Sequence, residues 1–231
     1  MSERVDEWVA EELSLIRSFA RPLFKSVTQF TTNWLTESRI LQDMEKLFCQ
    51  LGVLVKLTPE AQAALGRLFT PEAIAKHDFF VRAGDTTHSV AFVMSGIFRC
   101  FATSPDGVEY NKTFFIENDL MGIYYALLLN RPSPLSVQAL TPCSVLIADF
   151  RQIEALYDEH PTLERLARKQ AEHLFLIKEQ REIDLVMLDA KARYEKFQRN
   201  FPAIEQAVPQ YHIASHLGIT PTQLSRIRAD R

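Results

Sequence analysis

Thr222, Gln223, Ser225 and Arg226 stand close together near the end of the chain, within the run Thr220-Pro-Thr-Gln-Leu-Ser-Arg-Ile-Arg228. Their side chains are short or bidentate hydrogen-bonding groups. On one face of a helix they can meet base edges in the major groove, and an arginine there can grip guanine O6 and N7 with two bonds. Arg226 is the strongest candidate of the four. Gln210, Tyr211, Thr220 and Arg228 flank them and are candidates for phosphate contacts.

Such a face needs a frame, and the surrounding residues supply one. Residues 209–216 can form a first helix. Leu217-Gly218-Ile219-Thr220 then makes a turn, with Gly218 free to take the positive φ that ends that helix. Thr220 is a good N-cap, Pro221 suits the first helical position, and Gln223 completes a Thr-x-x-Gln capping box, so Gln223 is divided between its own helix and a base. Ile213, Leu217, Ile219, Leu224 and Ile227 are spaced to lock the two helices together. The result predicts a helix-turn-helix. An αα-hairpin in a core shares the apolar spacing, but its outer face would carry Glu and Lys rather than Thr, Gln, Ser and Arg. His212 and His216 lie four apart on the first helix with no third ligand nearby, which predicts a helix surface near DNA rather than a metal site.

Charge supports this placement. The chain of 231 residues has a net charge of -3, yet residues 190–231 hold seven basic side chains against three acidic ones, a net +4. A basic C-terminal segment on an acidic body suits phosphate binding, where neutralising phosphates releases counterions. Other chemistries find little support. No nucleophile-base pair, HExxH, phosphate loop or metal cluster is present, so an enzyme is not expected, and no cofactor or metal is expected. Cys49, Cys100 and Cys143 are isolated and odd in number. They predict small buried hydrophobes in a reducing cytoplasm rather than a disulfide or zinc framework. No apolar run is long enough to cross a bilayer, and the acidic, amphipathic N-terminus does not read as a secretory signal, so no membrane partner is expected.

Before the tail the chain changes texture twice. Helices are expected over residues 4–19, with Pro22 closing the first, over 35–51, and from Thr58-Pro59 to about Phe69. After Ile74 short β-rich runs follow: Phe79 to Arg82, Val90 to Met94, Ile97 to Ala102, Tyr110 to Ile116 and Ser144 to Ala148. Turns separate them, the strongest being Ser104-Pro-Asp-Gly107, and Gly84, Gly96, Gly107 and Gly122 fall at turn positions. This spacing predicts a small antiparallel sandwich or barrel. From His160-Pro161 a helix period holds for nearly thirty residues, about 43 Å at ~1.5 Å per residue. Leu163, Leu166, Gln170, Leu174 (with Phe175), Ile177, Asp184, Leu185 and Leu188 mark an imperfect stripe. It can lie on its own β-domain or form a two-fold dimer seam, and the length favours the seam.

With these elements in hand, most of the chain resembles the bacterial regulators that include the cyclic-AMP receptor protein and the fumarate-nitrate regulator (the CRP/FNR family), in a branch with a shortened helix-turn-helix domain. GITPTQLSRIR is the most specific part of the resemblance, and Asp189-Ala-Lys-Ala-Arg-Tyr194 to Phe197 is similar to the family's hinge and first helix of its DNA-binding domain. The resemblance implies an α+β fold: N-terminal helices, an antiparallel β jelly roll of the cyclic-nucleotide-binding type, a long dimerisation helix and a small C-terminal helix-turn-helix domain. The expected boundaries are 1–42, 43–158, 159–189 and 190–231, with residues 1–42 outside the resemblance and the β-hairpin wing of many members absent. It also implies a homodimer through residues 161–188, double-stranded DNA as partner and RNA polymerase as a further one.

The ligand site departs from the family. Gly122 is kept, but Ile123 stands where the family's ribose-gripping glutamate belongs. Ser133-Pro134 occupies the place of the phosphate-binding Arg-Ser pair, Arg131 lies two residues early, and Lys178 and Glu179 replace the hydroxyl pair that would reach the purine. An unpaired ribose hydroxyl costs about 1–3 kcal/mol and a buried phosphate without its arginine costs more. The expectation is a regulator that does not bind cyclic AMP and whose effector is unknown. The alternatives are a cyclic-nucleotide sensor using Arg131 in a shifted register, or a protein-interaction module with a vestigial helix-turn-helix.

Overall fold

The computed structural model describes residues 32–229. The helix expected over residues 4–19 and the break at Pro22 lie outside the described residues. By internal contacts the described residues group into two compact units: those up to Thr70 with Arg151–Lys169, and Pro71–Phe150 with those from Gln170 onward.

In the first unit, α1 (Thr32–Gly52) and α2 (Pro59–Gly66) bury Leu47, Leu51, Ala61 and Leu65. Thr58 caps α2 as its sequence predicts, its Oγ1 accepting from Ala61 N at 3.3 Å. Gly66 keeps the two helices close, since a Cβ there would meet Met44 Cε at 3.0 Å.

The second unit is built on two four-stranded antiparallel sheets. One has the order β1 (Thr70–Ile74), β8 (Cys143–Asp149), β3 (Ser89–Ser95), β6 (Leu120–Met121). The other runs β2 (Phe79–Val81), β7 (Ser136–Ala139), β4 (Phe98–Thr103), β5 (Glu109–Phe115). This is a double-sheet jelly roll. Val81, Val93, Phe98, Cys100, Met121, Ile123, Val137 and Val145 fill the space between the sheets. Gly84, Gly96 and Gly107 take positive φ at turns, as expected. The Ser104–Gly107 turn closes with Gly107 N donating to Ser104 O at 2.9 Å. Gly122 is different from the other three: its φ is not positive. Its constraint is packing, because a Cβ would press on Leu127 Cδ1 and Val90 Cγ1 at 3.3 Å each. Two short helices, α3 (Tyr124–Leu129) and α4 (Phe150–Glu154), follow β6 and β8. Cys100 and Cys143 are buried, and burial pushes the Cys100 thiol up to about 11. Cys49 corrects the expectation of three buried thiols, for it is exposed on α1.

The long helix α5 runs Pro161–Met187 over 27 residues. The expected stripe holds only in part. Leu163 and Leu166 are buried within the chain, and Gln170, Leu174, Asp184 and Leu188 are half-buried, so these residues face inward. A second apolar set looks outward: Phe175, Leu176, Ile183, Val186 and Met187 are 48–82% exposed. At 100° per residue this set lies opposite the inward stripe. Ile177 and Leu185 of the expected stripe are also exposed, at 53% and 45%, so the chain covers that stripe only in part. Leu163 and Leu166 are already committed. No described helix is long and apolar enough to cross a membrane.

Candidate nucleic-acid interface

The C-terminal segment folds as α6 (Ala190–Asn200), α7 (Ile204–Ala207), α8 (Gln210–Leu217) and α9 (Pro221–Ala229). Asp189 caps α6, its Oδ1 accepting from Ala192 N at 2.8 Å. Gly218 ends α8 at φ 70°, the left-handed conformation that only glycine takes without cost. The Thr220–Gln223 capping box closes in both directions. Gln223 N donates to Thr220 Oγ1 at 3.1 Å, and Thr220 N donates to Gln223 Oε1 at 2.9 Å. Ile213, Leu217 and Leu224 are buried between the helices, with Ile219 and Ile227 partly buried beside them. All five are the residues whose spacing predicted this lock.

The outer face of α9 stands clear. Thr222, Gln223, Ser225 and Arg226 are all exposed, as are Gln210 and Thr220, and Tyr211 is 56% exposed. Two of the candidates have other commitments. The Gln223 carboxamide oxygen is held by its own cap, and Arg228 Nε lies 3.7 Å from Glu205 Oε1. Glu205 also accepts from the Tyr194 hydroxyl and, at 2.6 Å, from Gln198 Nε2, tying α6, α7 and α9 together.

The opposite side of the segment is covered, and this was not foreseen. It packs on the β4–β5 hairpin of the roll in a joint core. Ile97, Phe114 and Leu140 of the roll lie with Tyr194, Phe197, Ile204, Leu217 and Leu224. The rings of Phe114, Phe197, Phe201 and His216 form one aromatic cluster with centroids 5.3–6.2 Å apart.

A buried polar patch lies beside it. Arg99 Nη1 donates to Glu109 Oε2 at 2.5 Å and approaches His212 Nδ1 at 3.2 Å, while its Nε and Nη2 donate to Gln138 Oε1 at 3.0 and 2.7 Å. Asn111 Nδ2 lies 3.3 Å from both His212 Nδ1 and His212 O. The backbone adds two more bonds: Asn111 N donates to Ser215 Oγ at 2.9 Å, and that hydroxyl donates to Glu109 O at 3.1 Å. On the other flank, Arg181 of α5 donates to His216 O at 2.9 Å with its Nη1 3.1 Å from the ring nitrogens.

His212 and His216 therefore do not form a surface near DNA. His212 is 4% exposed and His216 is half-buried, and both point into the hairpin. Two donors converge on His212 Nδ1, so that nitrogen is the unprotonated acceptor of a neutral ring. Burial and then the Arg99 charge hold its pKa down to about 4, against a smaller upward pull from Glu109. Burial and Arg181 hold His216 down to about 3. One signal in the sequence pointed to this contact. Ile97-Phe-Arg-Cys-Phe101 is apolar at nearly every position, which marks a strand covered on both faces.

The residues matched to the family's ligand cassette do not converge on a polar site. Ile123 is buried in the apolar filling of the roll. The Ser133 hydroxyl is spent within its own turn, donating to Leu135 O at 2.6 Å. Arg131, Pro134 and Lys178 are exposed. Gly122 sits against Leu127 and Val90.

Residues 71–160 match the family model of the cyclic nucleotide-binding domain. A search of curated protein sequences finds no match. Among solved structures, FixK2 from Bradyrhizobium japonicum is similar at 19% identity and a TM-score of 0.61, covering 70% of this chain and 83% of its own. The c-di-GMP-responsive global regulator CLP of Xanthomonas campestris is similar at 14% identity and a TM-score of 0.59, over 75% and 91% of the two chains. A cyclic nucleotide-binding domain from Methylobacillus flagellatus gives 14% identity and 0.53, over 61% and 80%. The cyclic nucleotide-binding domain and the helices after it thus have the α+β fold that the CRP/FNR resemblance implies. At the positions matched to the cassette, Ile123 is buried, Ser133 is bonded within its own turn and Arg131 is exposed.

Proposed function

We propose that the protein is a DNA-binding transcription regulator that works as a homodimer and that its roll does not take cyclic AMP. One observation carries the reading: α9 is capped at its start, anchored by Leu224, and leaves Thr222, Ser225 and Arg226 exposed along one side. Those three side chains are the base-reading set, with Gln223 mainly holding the helix start. Gln210, Tyr211 and Thr220 meet phosphates, and Arg228 joins them only by leaving Glu205. The reader is residues 190–231, and 43–158, 159–189 and the N-terminal extension 1–42 keep the sensor, dimerisation and undefined roles of the sequence reading. The protein is not an enzyme. It works in the cytoplasm, and RNA polymerase is a further partner.

Replacing Arg226 by Ala tests the reader. Affinity for a duplex selected from a random library falls roughly 5- to 150-fold, the ~1–3 kcal/mol of a bidentate base contact, while binding to unrelated duplex changes less. Unchanged affinity for the selected duplex, measured by fluorescence anisotropy, overturns the assignment.

The sensor claim has its own check. Titrating cyclic AMP into the full chain gives no binding heat at millimolar ligand, and Arg131→Ala changes nothing. Saturable heat that Arg131→Ala abolishes overturns it.

A further inference from the structure

Strand β4 belongs to two cores at once. Phe98 and Cys100 point into the apolar filling of the roll. On the same stretch, Ile97 and Arg99 point the other way, into the contact with the C-terminal helices. The strand is thus a wall with the sensor interior on one side and the helix-turn-helix on the other.

From this the structure assigns Arg99 and Asn111 as positioning residues of the DNA reader. They latch α8 to the β4–β5 hairpin, so that movement of the roll interior at Phe98 and Cys100 is carried to the reading helix. The last step rests on the DNA-reading proposal above, and the latch itself does not.

Three features make this contact more than packing. It is polar and buried: Arg99, Asn111 and His212 are 6%, 3% and 4% exposed, so each bond lost there leaves a group without water to replace it. It fixes direction as well as proximity, because the guanidinium is held in place by Gln138 and Glu109 before it reaches His212. It is also incompletely satisfied. Asn111 Oδ1 is buried with no hydrogen-bond partner, and Arg99 and Asn111 both aim donors at the single acceptor His212 Nδ1. An orphaned acceptor costs free energy only while the latch is closed. This narrows the gap to an open state, as an element with two arrangements requires.

Hydrogen exchange on the full chain tests the latch without any ligand or DNA. In Arg99→Met and in His212→Phe, which keeps a ring but loses the acceptor, amides of α8 and α9 exchange at least tenfold faster. Those of β3 and β8 stay within twofold of the parent. His212→Gln, which restores an acceptor oxygen, recovers most of the protection. His212 lies outside the roll, so its variants report on the latch even where Arg99→Met disturbs the strand. Unchanged α8 and α9 protection in His212→Phe overturns the proposal. So does His212→Gln behaving like His212→Phe, for then packing rather than the acceptor matters. A parallel anisotropy titration with the selected duplex should follow the same order, with the parent and His212→Gln tight and the other two weaker by tenfold or more. If exchange follows that order and no protein, the parent included, binds DNA, the reading proposal fails and the latch stands.

Discussion

Ile183→Asp with Val186→Asp yields a well-folded monomer that has lost nearly all useful affinity for DNA. Both side chains are exposed in the single chain, at 48% and 82%, so removing them costs the fold little. Together with Phe175, Leu176 and Met187 they make an exposed apolar face on α5, the kind of patch that marks an interaction site. A second copy of α5 covers it under the regulator proposal. Two carboxylates at the centre of that seam would be buried without counter-charges and would split it. A single reader with a local charge of +4 binds weakly, and linking two raises affinity by roughly 10²- to 10⁴-fold without a new contact. The expected result is therefore a halved mass in sedimentation, a single cooperative melting transition that is lower and no longer depends on protein concentration, and a fall in affinity of that size. A variant that remains dimeric would remove α5 from the interface.

Acid weakens the seating of the C-terminal helices well before it protonates most carboxylates. His212 and His216 have folded pKa values near 4 and 3, below the ordinary histidine value of 6.5. Between those values the unfolded chain binds protons that the folded one refuses, so stability is full above about pH 6.5 and declines as the pH drops toward 4. The charged groups facing His212 are Arg99, which opposes protonation, and Glu109, which favours it less strongly. His216 faces Arg181 and the carbonyls of Asn111 and Lys112. For His212 alone the loss between pH 7.5 and 5 is about 2 kcal/mol, at 1.36 kcal/mol per unit. Urea unfolding followed at the two pH values measures it. The His212→Gln protein should show a loss smaller by that amount, and an equal loss in the two proteins would remove His212 as the cause.

The helix pair α8–α9 and the turn between them were legible in the sequence because their determinants are local. Thr220 and Gln223 are three residues apart, Gly218 is the one position that needs a left-handed backbone, and the apolar lock spans fifteen residues from Ile213 to Ile227. The strands around Ser104–Gly107 were legible for the same reason. Strand β1 was not, since four of its five residues, Thr70 to Ala73, are exposed and show no alternation. The outward face of α5 was ambiguous because the helix is apolar on two sides, and period alone cannot say which side the chain itself covers. The latch was hidden more deeply. Arg99 and His212 are 113 residues apart, and nothing in either neighbourhood names the other. The same distance misplaced His212 and His216, whose spacing is equally good for a free surface.

The joint core also decides what can be cut away. Tyr194, Phe197, Leu217 and Leu224 rest against Ile97, Phe114 and Leu140 of the roll. A fragment that begins at Ala190 would carry the whole reading helix but would lack the floor on which it is set. Its aromatic side chains would face water, and forty-odd residues are too few to offset that with a core of their own. The C-terminal helical segment is thus not a transplantable cassette. A chimera that grafts it onto another sensor keeps its shape only if the β4–β5 hairpin travels with it.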